Sequence, residues 1–241
     1  ARQLPVIFEM APDIMGKMED VSLMDMEDYD AAPEPDEDAL EDAAKLLGEA
    51  ENPMIFVGSG VFGAEAELQR LAELLEAPVI MSRTGRGALT DRHHLAQNMI
   101  TGQGLWETAD VALVIGTRFS SPGLAWGRER DVTLIRIDLD PAQAKLPREA
   151  DITAITSAKK AMPVLAEKIE PHNKKRESRE NELNAAKADT TAKLEGLDPQ
   201  FGFGKVIRDA LPEDGVLVTD VTQMATYMQN WMPVYQPRTL I

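Results

Sequence analysis

Apolar and polar positions change rhythm along the chain, and the changes mark out its parts. From "DEDALEDAAKLLGEA" onward, helical stripes alternate with short, continuously apolar runs. Ala39, Leu40, Ala43, Leu46 and Leu47 share one helical face, and Leu68, Leu71, Leu74 and Leu75 share another. The intervening runs "MIFVG" (54–58), "PVIM" (78–81), "VALVIG" (111–116), "TLIRID" (133–138) and "ITAIT" (152–156) lack polar alternation, the mark of strands covered on both faces. Alternation of strand and helix predicts an α/β fold with a doubly wound, Rossmann-like parallel sheet of five or six strands over 37–170.

Outside that core the pattern weakens. "PVIFEM" (5–10) has strand composition, and residues 17–36 form an acidic linker with two prolines. Residues 171–197 are charged throughout and predict an exposed connecting helix. Then "FGFGKVIRDALPEDGVLVTDVTQ" starts another α/β unit, with an amphipathic helix, a buried strand over 216–220 and a helix opening at Thr222. Both ends read as cuts through a larger protein.

Composition narrows the function. The chain has 241 residues, 44% of them hydrophobic, and a net charge of -16, so nucleic acid and anionic membrane surfaces would repel it. It has no cysteine, which excludes thiolate chemistry and disulfides and fits a cytoplasmic setting. No apolar run approaches the roughly 18 residues of a membrane span, and no leader-like segment opens the chain. His93 and His94 are neighbours in a polar stretch and predict a surface loop rather than a metal site.

Two stretches carry candidate chemistry. "GSGVFG" spaces Gly58, Gly60 and Gly63 as a dinucleotide-binding turn does, between a strand and a helix. The ribose-binding acid expected about 20 residues on is missing, and Arg83 and Arg86 stand there instead; an arginine there suits a 2′-phosphate, and a tight turn without ligand is at least as strong a reading. "GTRFSSPGLAWGRERDVTLIRIDLDPAQ" places Arg118 just past one strand and Asp138 and Asp140 at the end of the next. In open α/β sheets ligands sit at that edge. Arg118 suits a phosphate or carboxylate, Asp138 and Asp140 suit ribose hydroxyls, and Asp140 before Pro141 also suits a helix cap. Phe119 and Trp126 read as packing residues, with base stacking as the alternative.

The succession "PVIFEMAPDIM", "NPMIFVGSGV", "APVIMSRTGRGAL", "TADVALVIGTRF", "RIDLDPAQ", "FGFGKVIRDALPEDGVLVTDVTQ" and "PRTLI" resembles the thiamine-diphosphate-dependent 2-oxo acid decarboxylase and acetolactate synthase family. The resemblance implies the tail of a pyrimidine-binding domain over 1–16, a whole middle domain over 37–170 and the start of a diphosphate-binding domain over 198–241. It implies thiamine diphosphate and Mg2+ in the parent protein, a 2-oxo acid substrate, and a homodimer or homotetramer. The family's activating glutamate would precede Ala1 and its Gly-Asp-Gly metal segment would follow Ile241, leaving this chain no catalytic or metal residues and no activity alone. Val221, Thr222 and Gln223 match a cofactor-contacting turn, although Thr222-Gln223-Met224 stands where acetolactate synthases carry Gly-Gln-His. FAD or ADP is implied as an occupant of the middle domain, where Arg118 is retained but "SSPGLAWG" replaces the flavin-binding continuation. The alternative is a nucleotide-binding or dimerisation module without catalysis.

Overall fold

The computed structural model of the chain describes residues 7–23, 32–127 and 131–241. A short helix, α1 (Pro12–Met15), is followed by exposed coil to residue 23. Helix α2 (Glu37–Glu49) begins where Asp36 accepts from the N–H groups of Asp38 and Ala39, and it turns Leu40, Ala43, Ala44 and Leu47 inward. Strand β1 (Met54–Val57) leads through a 3-10 turn into α3 (Glu65–Leu75), then β2 (Val79–Met81) and the brief β3 (Ala96–Gln97). Helix α4 (Met99–Leu105) precedes β4 (Val111–Ile115), α5 (Ser120–Ala125), β5 (Thr133–Asp138), β6 (Ile152–Ile155) and α6 (Ala158–Ile169). Helices α7 (Glu180–Glu195), α8 (Gln200–Ala210) and α9 (Gln223–Trp231) complete the chain.

All six strands are parallel in the order β3-β2-β1-β4-β5-β6. Every residue of β1, β2 and β4 is buried, so both faces of the sheet are covered, as their unbroken apolar sequence requires. The chain winds from β1 outward to β3, returns to the centre at β4, and winds the other way to β6. Neighbours β1 and β4 therefore send their following helices apart and leave a crevice beyond their carboxyl ends.

The flanks depart from the sequence pattern in four places. Residues 7–10 of the expected first strand are exposed coil, with Ile7 and Phe8 over three-quarters accessible; residues 5 and 6 lie outside the described residues. No neighbouring strand among the described residues pairs with this stretch. The expected strand 216–220 is also open: Val216 and Val218 are exposed, and Leu217 makes one parallel bridge with Leu240. A single bridge gives apolar side chains no second layer to bury against. The connecting segment is extended to Arg179 before α7 starts, and it is anchored. Arg176 donates to the carbonyls of Leu47, Gly48 and Ala50, capping the end of α2, while Leu183 of α7 is fully buried in the main core. Finally, "PAQAKL" forms a 3-10 turn over Gln143–Lys145 rather than an α-helix.

Candidate functional site

A cleft of about 1200 Å³ opens along the carboxyl edge of the sheet. Its walls come from the segments after β1, β2, β4, β5 and β6, together with Arg238 near the C-terminus. Gly60, Arg118, Asp138 and Asp140 of the sequence-expected residues line it. Gly58 does not; Val221, Thr222 and Gln223 lie apart from it, at the start of α9.

The glycine spacing has an internal cause. A Cβ on Gly58 would lie 2.5 Å from the carbonyl oxygen of Gly116, and one on Gly60 would lie 2.6 Å from the Gly116 Cα. Gly116 itself has a φ of 55°. The turns after β1 and β4 thus touch backbone to backbone, which only glycine permits. Most donors of the turn after β1 are spent as well. The N–H groups of Gly58 and Gly60 donate to Ile115 and Gly116, those of Val61, Phe62 and Ala64 to turn carbonyls, and that of Gly63 to Glu65. Glu65 and Glu67 occupy the first turn of α3, where a pyrophosphate would need the positive end of the helix dipole.

The positive charge at the cleft comes from side chains instead. Arg83 follows β2, Arg118 follows β4, and Arg238 leans in with its guanidinium 5.6 Å from the Phe62 ring centroid. None of the three has a carboxylate or carbonyl partner among the described residues. The other described arginines all donate: Arg70, Arg92 and Arg179 to glutamates, and Arg136, Arg176 and Arg208 to backbone carbonyls, for example. Three guanidinium groups without a hydrogen-bond acceptor among the described residues converge on one cleft of a chain whose net charge is -16. That arrangement attracts an anion with several acceptor oxygens. Asp138 and Asp140 stand at the far wall, after β5. Asp140 accepts from the N–H of Ala142 and Asp138 from that of Asp140, so each shapes the turn as well as facing the cleft.

Arg136, which the sequence reading passed over, organises this edge from below. It is fully buried in β5, where Nη2 donates to the carbonyl of Thr117 at 2.7 Å and lies 3.6 Å from Asp138, while Nη1 donates to Leu146. Burial pulls its guanidinium below the usual arginine value, and Asp138 works against that. A charge inside an otherwise apolar strand was the available signal. Phe119, buried and left-handed at φ 56°, holds the loop from the other side with its ring edge-on to Phe56 at 4.9 Å. Arg118 therefore projects from a stem fixed on both flanks.

A family model described as the central domain of thiamine pyrophosphate enzymes matches residues 40–165, which carry the whole sheet and the cleft's main walls. The chain belongs to the thiamine pyrophosphate enzymes. It is 32% identical over 146 residues to an acetolactate synthase of Mycobacterium leprae, covering 56% of this chain and 23% of that protein. It is 24% identical over 256 residues to the acetolactate synthase large subunit of Corynebacterium glutamicum, covering 98% of this chain and 41% of the relative. A Mycobacterium smegmatis structure described as a thiamin diphosphate-dependent enzyme superposes with a TM-score of 0.68 at 18% identity, over 90% of this chain and 43% of the other. The chain thus spans less than half the length of the relatives it matches.

Among the described residues, those matched to the family's cofactor-contacting turn have other partners or none. Thr222 accepts from the N–H of Ala225 as the cap of α9, Gln223 accepts from Gln200, and Val221 is almost fully exposed. No group of three or more acidic or histidine side chains able to hold a metal ion occurs among the described residues. Likewise, no described helix is long and apolar enough to cross a membrane. His93 and His94 stack on each other and meet Glu73 and Glu76, a satisfied surface cluster.

Proposed function

We propose that the chain is the central part of an acetolactate synthase-like enzyme acting on a 2-oxo acid, and that its own task is to hold a nucleotide, FAD or ADP. In this reading residues 37–170 are the middle domain, residues 1–16 and 198–241 belong to the flanking catalytic domains, and 17–36 and 171–197 connect them. Thiamine diphosphate and Mg2+ would be bound by the whole protein, a cytoplasmic homodimer or homotetramer. The chain alone would be inactive.

The observation that carries the nucleotide role is the convergence of Arg83, Arg118 and Arg238 on one cleft. Arginines after β2 and β4 and acids after β5 make a positive-to-negative sequence along the edge. A ligand with a diphosphate over β4 and ribose hydroxyls toward Asp138 matches it. Calorimetric titration of FAD, ADP and NADP into the chain tests this. Binding that weakens about ten- to hundredfold on Arg118→Ala supports it, the range for a hydrogen bond to a charged group. Failure of all three ligands to bind would remove the nucleotide role. The capping role of Thr222 and the Gln200 contact of Gln223 favour a second expectation: thiamine diphosphate with Mg2+ should give no measurable binding to this chain.

A further inference from the structure

Arg238 reaches the cleft from outside the sheet, and the way it is held is unusual. The loop after β2 grips the C-terminal segment. Buried Arg86 donates to the Met232 carbonyl at 2.7 Å and to Asp91 at 2.5 Å, while Asp91 accepts from the N–H of Val234 and donates its own N–H to the Val234 carbonyl. Gly87, at φ 85°, lets the Gln236 carbonyl approach so closely that a Cβ there would lie 2.1 Å from it. Thr239 then donates to the Gln236 carbonyl, and its own carbonyl accepts from Leu217. Between these ties Arg238 adopts a φ of 62°, a backbone region that costs a non-glycine residue energy and persists only where the surroundings impose it.

We propose that Arg238 is a phosphate-gripping residue of the cleft, delivered by the C-terminal segment and presented by the Arg86–Asp91 clamp. The inference rests on the nucleotide reading above and adds to it. The turn after β1 has committed most of its N–H groups and α3 opens with two glutamates, so the charge of a diphosphate would be met mainly by side chains. Arg83 and Arg118 reach it from the sheet, and Arg238 reaches it from the neighbouring segment. Nucleotide affinity then depends on a contact between two parts of the chain, and a bound diphosphate in turn stabilises that contact by linkage.

The test is calorimetry of ADP and AMP against the full chain, four single variants and one double variant. Arg238→Ala should weaken ADP about tenfold, with a smaller effect on AMP, which offers one phosphate fewer. Asp91→Asn, which keeps the side chain's size but removes the clamp's charge, should also weaken ADP. Combined with Arg238→Ala it should add little, because both act on one contact. Arg70→Ala removes an equal charge from an exposed ion pair elsewhere and should change nothing. If Arg118→Ala weakens ADP while Arg238→Ala does not, Arg238 is not a ligand residue and the inference fails while the nucleotide reading stands. Additive losses in the Asp91→Asn, Arg238→Ala double variant would overturn the presenting role of the clamp. Absence of ADP binding to the unsubstituted chain would sink both.

Discussion

Single residues at the cleft divide into those that build it and those that only face it, and substitution separates the two. Arg136 builds: Arg136→Leu leaves Asp138 and two carbonyls without their donor and should cost about 3–5 kcal/mol, read from urea unfolding. Gly60 builds as well. Its replacement by Ala forces the turns after β1 and β4 apart, with an expected loss of about 1–3 kcal/mol in the same measurement. Arg118 only faces the cleft, so Arg118→Ala should leave stability within about 0.5 kcal/mol while removing ligand affinity. The sequence identified Arg118, Asp138 and Asp140 because strand ends can be read from apolar runs, and ligands gather there. It could not reveal Arg238. That residue follows Pro237 in a stretch with no periodicity, and its position depends on contacts with a loop about 150 residues earlier.

At the scale of elements, legibility follows burial. Strands β1, β2, β4, β5 and β6 are visible in the sequence because both of their faces are buried. The two-residue β3 and the glycine-containing α4 are not, being too short and too polar to set a period. The strand expected at 216–220 rests on its apolar content and on the resemblance, and neither supplies a neighbour. Residues 171–179 read as part of an exposed connecting helix because they are charged. In the fold two of these charges are committed: Lys174 meets Glu51, and Arg176 closes α2. Limited trypsin digestion should therefore cut after exposed Lys17 well before it cuts after Lys174 or Arg176, as mass spectrometry of early fragments would show. Early cleavage after Lys174 or Arg176 would contradict this anchoring.

Across the whole molecule the acidic balance sets the response to pH. Burial would raise the Glu76 carboxyl, but the Arg179 N–H, His94 and Ser178 together hold it below its usual 4.5, and Arg179 does the same for Glu182. The folded chain binds these protons more weakly than the unfolded chain. Their contribution is therefore complete above about pH 4.5 and drains away as pH falls through the lowered values. Urea midpoints should hold between pH 7 and 5 and drop between pH 4 and 3; a flat profile would show that these contacts contribute nothing. The anchoring of the central unit has one more consequence. Ala32 and Pro33 are tied to Lys160 and Thr156 on the way in, and Arg176 is tied to the far end of α2 on the way out. Entry and exit thus sit at opposite ends of one 13-residue helix, about 20 Å apart. That gauge keeps the segments before and after the central unit from meeting at one point on its surface.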